Sequence, residues 1–248
     1  MPTLKDKNAE VHYIINRVNK KPFLFFIHGA GSNHTIYKPL FNKKTNYIAI
    51  DIRHHGHSKG GKVNFNTIVQ DIENIRTKEK LNKLILVGNC LGASLAVEYY
   101  KQFPKNVQKL ILLTLFSERY VRFSFIFHPL ASFFTMIFNL FPARKNTIFQ
   151  DYHKYQKRPM WYYPMLDVRG TPLKALASLV KELFEYKIDL NIKVPTIIIT
   201  AEHDIMTRNT LLKEDAKKYN LTIKELHSNH VPLTRMPEEI KKIIEDIL

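Results

Sequence analysis

The sequence LILVGNCLGAS at residues 84–94 places a short apolar run directly before a segment that can form a helix. The apolar run has the character of a buried β-strand, and Leu91–Gln102 has the composition of a helix. The chain must therefore turn sharply at Cys90. Gly88 and Gly92 flank the turn, and their missing side chains leave room for neighbouring backbone. This pattern predicts a strand–turn–helix unit with the only cysteine of the chain at its apex.

Strand-like and helix-like segments alternate on both sides of this unit. Runs that are apolar throughout, such as Phe23–Ile27, are typical of strands buried on both faces. The predicted strands are 11–17, 23–27, 47–50, 84–88, 110–115, 196–201 and 222–226, and the predicted helices are 67–77, 91–102, 209–219 and 237–248. This alternation predicts the α/β class, with a mostly parallel central sheet and helices on both faces.

One region interrupts the alternation. No strand is expected between Ser117 and Asn191, where a tight α/β unit needs only a short connection. A connection of this length requires structure of its own. We therefore predict that residues 1–116 and 192–248 form the core, and that residues 117–191 form a mainly helical cap inserted over the C-terminal edge of the sheet.

The charge balance of the chain is strongly basic. Lys and Arg number 38 against 22 Asp and Glu, a formal net charge of +16. Such a charge attracts anionic partners, including nucleic acid, an acidic membrane surface or a phosphate-bearing carrier. The basic residues are scattered in pairs without interleaved aromatics, a pattern that argues against nucleic-acid binding. An ordinary solvated surface is the simpler interpretation.

The cysteine count and the N-terminus bear on the compartment. A single cysteine excludes an intramolecular disulfide framework and a multi-cysteine metal site. Residues 1–10 are polar and lack the apolar core of a signal peptide. We therefore expect a cytoplasmic protein.

Cys90 stands where a catalytic nucleophile could act, although a buried core thiol is the alternative interpretation. A cysteine nucleophile needs a base, an acid that orients the base, and donors for an oxyanion. In an open parallel sheet these groups come from loops at the C-terminal ends of strands. We predict that His230 is the base and Asp204 the acid. Glu202 and Glu118 are weaker alternatives for the acid.

Several motifs together resemble those of α/β-hydrolases. The turn at Cys90 resembles the family's G-x-S-x-G nucleophile elbow, with cysteine in place of serine. The sequence DIRHHGHS at residues 51–58 is similar to the family's D-x-R-G-H-G-x-S loop, with His54 in place of a glycine. Residues 230–240 are similar to its closing H-x-x-x-x-x-x-P-E segment. Nucleophile, acid and histidine also follow the family's order.

The resemblance covers the chain except for the predicted cap, and it implies further site features. It assigns the oxyanion hole to the backbone N–H groups of Ala30 and Leu91, and it implies no cofactor. The cysteine departs from most of the family. The elbows of dienelactone hydrolases and polyhydroxyalkanoate synthases also hold cysteine, but the long cap argues against the first group and the short chain against the second.

Histidines crowd the sequence near the predicted site. His54, His55 and His57 share one loop and could suggest a metal site. No carboxylate pattern with metal-ligand spacing accompanies them, so we predict no metal. The resemblance instead makes this loop structural. We expect His34 to face the entrance of the site and to contact substrate.

The predicted cap contains an unusually apolar segment. Residues 123–143 hold no Asp, Glu, Lys or Arg and are rich in phenylalanine. Some of its apolar residues fall on one helical face. We predict that part of this face lines a pocket for a small apolar acyl substrate: Phe133, Phe134, Ile137 and Phe138. The basic residues on either side of the segment suit contact with an anionic membrane, so an interfacial helix and, less favoured, a membrane span are the alternatives.

These observations predict a hydrolase that cleaves an apolar carboxylic ester or thioester. The predicted mechanism uses a Cys90–His230–Asp204 triad and an acyl-enzyme intermediate. One alternative is an acyltransferase that passes the same acyl group to an alcohol or amine. Another is a non-catalytic binding protein with this fold, against which stands the presence of all three triad residues.

Overall fold

The computed structural model describes residues 2–6, 8–18, 22–122, 128–130, 132–133, 136–137 and 147–248. The strands in this part of the chain are β1 (Thr3–Asp6), β2 (Ala9–Asn16), β3 (Phe23–Ile27), β4 (Tyr47–Ile50), β5 (Lys59–Gly60), β6 (Leu84–Asn89), β7 (Val107–Leu113), β8 (Thr196–Ala201) and β9 (Thr222–Leu226). The α-helices are α1 (Phe65–Lys78), α2 (Leu91–Gln102), α3 (Tyr162–Gly170), α4 (Leu173–Glu185), α5 (Asn209–Lys218), α6 (Pro232–Arg235) and α7 (Pro237–Glu245). Short 3₁₀ helices span His34–Leu40, Pro104–Asn106 and Tyr152–Tyr155.

The strands form one sheet in the order β1-β2-β4-β3-β6-β7-β8-β9, with β5 paired to β2. Strands β3, β4 and β6 to β9 run parallel, whereas β1, β2 and β5 pair antiparallel. The predicted α/β class with a mostly parallel sheet is confirmed. The short strands β1 and β5 were not predicted, because neither has an apolar run long enough to stand out.

The central strands are covered on both faces. In β3 the side chains of Phe23, Phe25 and Ile27 join one core cluster, and those of Leu24 and Phe26 join the other. This division follows the alternation of side chains along a strand. The continuous apolar run therefore reflects two packed faces, as expected for a parallel sheet.

The backbone turns sharply between β6 and α2, and its two flanking glycines have no space for a side chain. Cys90 has φ 52° and ψ −115°, a left-handed conformation that costs a non-glycine residue about 1–3 kcal/mol. A Cβ built on Gly88 would lie 2.2 Å from the carbonyl oxygen of Gly92, and one on Gly92 would lie 1.9 Å from that of Ile27. Only glycine fits either position.

One helix of the predicted cap, α4, packs against the core. Helix α4 packs into the main core through Leu179, Leu183 and Phe184, and Glu182 accepts a hydrogen bond from the backbone N–H of Phe65. Helix α4 is thus in direct contact with the core. The boundaries predicted at residues 117 and 191 stay a prediction. Within the described ranges, no helix is long and apolar enough to cross a bilayer.

Replacing Gly92 with alanine should destabilise the fold severely. The new Cβ would overlap the backbone of β3, which cannot move without disturbing the sheet. We expect a loss of at least about 3 kcal/mol and a fall in Tm of roughly 6–12 °C. The matched control is Gly170→Ala, whose Cβ would meet a flexible Gln150 side chain at 3.2 Å. Equal Tm values for the two variants in a thermal melt would contradict this account.

Candidate active site

Cys90 lies at the C-terminal end of β6, where α2 begins, and is partly exposed. Its backbone N–H donates to the carbonyl oxygen of Leu113 in the neighbouring strand β7, at 2.9 Å. The turn that follows β3 is also close, since a Cβ built on Gly29 would lie 3.3 Å from Cys90 Cβ. The Cys90 thiol therefore lies at the C-terminal end of the central strand β6. It is beside the turn after β3, which contains the predicted oxyanion donor Ala30.

His230 and Asp204 form a buried pair at the same edge. The ring Nδ1–H of His230 donates to Asp204 Oδ2 at 2.8 Å. The ring of Phe116, just after β7, lies edge-on to the imidazole with centroids 5.8 Å apart. His230 Nε2 is buried and has no hydrogen-bond partner in the described part of the chain. That nitrogen is thus available for proton exchange.

The protonation of His230 depends on Cys90. Burial by itself lowers the pKa of the imidazole, but the negative charge of a Cys90 thiolate and the bond to Asp204 outweigh it and raise the pKa of His230 to about 10. Cys90 is thus close enough to affect the pKa of the ring, although no hydrogen bond joins it to His230 Nε2 in the described part of the chain.

Asp204 is fixed by several donors besides His230. Thr207 donates its hydroxyl to Oδ2 at 2.8 Å, and the Met206 N–H donates to Oδ1 at 2.8 Å. Burial alone raises the pKa of Asp204, but the bonds from His230 and Thr207 bring it below its usual range. Thr207 was not predicted, although a threonine three residues after an acid was a usable signal.

The two alternative acids lie elsewhere. Glu202 is exposed and pairs with His227 at 2.8 Å. Glu118 is exposed just after the end of β7. Neither contacts His230 among the described residues, so the structure brings only Asp204 to the imidazole.

Two neutral histidines shape the turn after β3. His28 accepts from the Ile52 N–H at 3.0 Å and donates to the Gly29 carbonyl at 2.7 Å. Burial lowers its pKa to about 4. His55 accepts from the Gly31 N–H at 3.0 Å, and burial lowers its pKa to about 3. Both rings are therefore uncharged and fixed, which holds the turn in one conformation.

The predicted oxyanion donors are placed consistently with that role. Leu91 is the first residue of α2, and its N–H has no acceptor among the described residues. The same holds for the N–H of Ala30 in the neighbouring turn. Free backbone donors at a helix N-terminus favour an anion. Their function as an oxyanion hole stays a prediction.

His34 does not face a site entrance as expected. It is buried, and both its backbone N–H and its ring Nδ1 lie 2.8 Å from Asp51 Oδ1. His12 binds the other oxygen of the same carboxylate through Nδ1, at 2.9 Å. Burial alone raises the pKa of Asp51, but these bonds hold it well below its usual range. His34 therefore anchors the loop after β3.

Two groups of side chains in the described part of the chain have donor atoms close enough to bind a metal ion. The donor atoms of His12, His34 and Asp51 lie within 4.8 Å of one another and could hold an ion. Asp51 lies at hydrogen-bond distance from both rings, 2.9 Å from His12 Nδ1 and 2.8 Å from His34 Nδ1, so the three side chains also bond to one another. A second candidate set, Glu202, His203 and His227, is exposed. The loop histidines do not converge, since His54 bonds to the Gly61 carbonyl while His57 stacks on Phe149.

The predicted pocket lining is described only in part. Phe133 is 53% exposed, and Ile137 is half-buried. Phe134 and Phe138 lie outside the described residues. A side chain that lines an enclosed pocket is normally buried, so the exposure of Phe133 differs from the expectation. An apolar pocket under this segment stays a prediction.

Asp167 in α3 is a site neighbour that the sequence did not reveal. The Tyr152 hydroxyl contacts Asp167 Oδ1 and also lies 3.0 Å from the carbonyl oxygen of Gly31. Desolvation raises the pKa of Asp167 to about 7. Because a hydroxyl carries one proton, a protonated carboxyl supplies the second proton that these two contacts need. This cluster connects α3 to the turn after β3, which contains Gly31.

The raised pKa makes a prediction about stability and pH. An acid with a folded pKa of about 7 and an ordinary pKa of 3.8 stabilises the fold fully below about pH 4. That contribution is lost as the pH rises towards 7. Asp167→Asn is neutral throughout, so its Tm should exceed that of the parent at pH 8 by roughly 2–4 °C. Thermal melts between pH 5 and 8 check this, and parallel Tm curves would argue against it.

Comparisons with known proteins agree with this architecture. A family model described as the alpha/beta hydrolase fold matches residues 22–233. A Haemophilus influenzae protein assigned as an esterase/lipase is 30% identical over 110 residues, which are 43% of this chain and 38% of that protein. Protein phosphatase methylesterase 1 of Candida albicans is 31% identical over 116 residues, 42% of this chain and 32% of that protein. The chain thus aligns with less than two fifths of either relative.

The solved structures extend the likeness to the whole chain. A hydrolase from Pseudomonas aeruginosa PA01 superposes with a TM-score of 0.78 at 14% identity, covering 99% of this chain and 97% of that one. At this identity the likeness shows the fold alone.

Proposed function

The chain belongs to the alpha/beta hydrolase fold family, and on that basis we propose that it is a cysteine-dependent hydrolase of apolar carboxylic esters or thioesters. The observation that carries the proposal is geometric: Cys90 lies at the turn from β6 into α2, and at the same end of the sheet the buried His230 imidazole is bonded to Asp204 at 2.8 Å. A structural thiol in a packed core has no need of such a partner. The relatives named as esterases support the same reaction class.

The proposed reaction begins with attack of the Cys90 thiolate on the carbonyl carbon of the substrate. A C–S bond forms, and the carbonyl oxygen becomes an oxyanion that the N–H groups of Ala30 and Leu91 bind. Collapse breaks the bond to the leaving group, which takes a proton from the His230 imidazolium. The product of this half-reaction is a thioester on Cys90.

The second half-reaction releases the acid. His230, now neutral, takes a proton from water as the water oxygen attacks the thioester carbonyl. Collapse of the second tetrahedral intermediate breaks the C–S bond and restores the thiolate–imidazolium pair. Asp204 keeps its charge throughout, since it is held below its usual pKa and serves to orient the ring.

An acyltransferase would use the same thioester. A thioester reacts with alcohols and amines as well as with water, so the cysteine at the elbow keeps this second candidate open. The two functions differ in the acceptor. Adding an alcohol or amine should divert the acyl group to a new product in a transferase, whereas a hydrolase should give the free acid.

Rates on p-nitrophenyl esters test the proposal. Cys90→Ala should abolish turnover, and Cys90→Ser should keep a small part of it, because a hydroxyl is not ionised beside His230. Asp204→Asn should lower kcat/KM by about 10³–10⁴ through loss of the oriented imidazole. The matched control is Glu202→Gln, an exposed acid after the same strand, which should change kcat/KM by less than about twofold.

Two outcomes would count against this function. Equal losses of kcat/KM in Asp204→Asn and Glu202→Gln would show that Asp204 does not orient the imidazole. Full activity in Cys90→Ala would show that Cys90 is not the nucleophile. The acyl chain gives a separate test of the substrate class. Rates that fall steadily from acetyl to octanoyl esters would contradict an apolar substrate.

A further inference from the structure

Helix α3 is apolar on both of its faces. Its inner face buries Tyr163 and Leu166, each less than 5% exposed. Trp161 at its N-terminal end is 65% exposed, and Met165 and Val168 are 47% and 40% exposed. These three residues have i, i+4, i+7 spacing and share the outer face. A helix on the surface of a soluble protein normally presents polar residues there.

The exposed apolar surface continues beyond the helix. The backbone N–H of Ile148 donates to the carbonyl oxygen of Arg169 at 3.0 Å, which places Ile148 beside the end of α3. Ile148 is 67% exposed. Trp161, Met165, Val168 and Ile148 together form what we call the α3 patch. Contiguous exposed apolar patches usually mark interaction sites.

The surroundings of the α3 patch are positively charged. Residues 147–174 carry five exposed basic side chains: Lys154, Lys157, Arg158, Arg169 and Lys174. The same range holds only two acids. Asp151 forms an ion pair with Lys38 at 2.8 Å, and Asp167 contacts Tyr152 beside the oxyanion turn. The exposed charge of residues 147–174, the range that contains the α3 patch, is therefore basic.

We propose that the α3 patch docks this protein on the anionic surface of a lipid bilayer. Exposed tryptophan among basic side chains is the composition of an interfacial helix, because the ring enters the headgroup region while Lys and Arg contact anionic lipids. A second copy of the chain is the less suitable occupant, since each copy carries a formal charge of +16 and like charges repel. The docking does not depend on the chemistry of Cys90.

The chain contains its own reporter for this proposal. Trp161 is the only tryptophan and lies in the α3 patch. Vesicles of mixed phosphatidylglycerol and phosphatidylcholine should shift its emission to shorter wavelength, and brominated lipids should quench it. Vesicles of phosphatidylcholine alone should have a much smaller effect, and added salt should weaken the binding. Cys90→Ala should bind in the same way as the parent chain.

A pair of variants tests the surface itself. Met165→Glu removes an apolar side chain from the patch and adds a negative charge, so the affinity for the anionic vesicles should fall by about tenfold or more. Val18→Glu is the matched control, because Val18 is 51% exposed near the end of β2, far from α3 in sequence, and it should change the affinity by less than about threefold.

Three results would overturn the proposal. One is Trp161 emission that anionic vesicles neither shift nor quench. Another is a shift that depends on protein concentration without vesicles, which would assign the patch to self-association. The last is an equal loss of vesicle affinity in Met165→Glu and Val18→Glu.

Discussion

The close contact between Gly92 and the carbonyl of Ile27 is the constraint on which the rest of this structure depends. It brings the first turn of α2 against the end of β3, with no space for a side chain between them. As a result, the turn after β3 lies beside Cys90, and the N–H groups of Ala30 and Leu91 are left without acceptors in the described chain. The strained backbone of Cys90 is held by packing of the strand and helix on either side.

The histidines near the sheet edge differ in charge because their partners differ. His28 and His55 bond to backbone groups, and burial keeps their pKa values low. His230 is just as deeply placed, but it faces Cys90 and Asp204, and its pKa rises to about 10. Histidine side chains thus have two functions here: His28 and His55 stabilise a turn as neutral rings, and His230 can hold a proton that it transfers. A divergence of this kind is typical of functional sites.

The sequence predicted what depends on local pattern and missed what depends on distant contacts. Apolar runs and flanking glycines were sufficient for the parallel sheet and the turn at Cys90. The burial of His34 was not predicted because its partner, Asp51, lies just after the end of a different strand, β4. The contact of α4 with the core also depends on residues distant in sequence, so no local pattern indicates it. The raised pKa of Asp167 likewise arises from burial beside a distant turn.

The central claim is that the sulfur of Cys90 accepts an acyl group, and rapid-quench mass spectrometry tests it most directly. The protein is mixed with an excess of an activated ester, quenched in acid within the first turnover, and digested. We expect a mass increase of one acyl group on the peptide that contains Cys90, and this adduct should decay as free acid appears. Turnover without this adduct, or an acyl group found on another residue instead, would show that Cys90 is not the nucleophile.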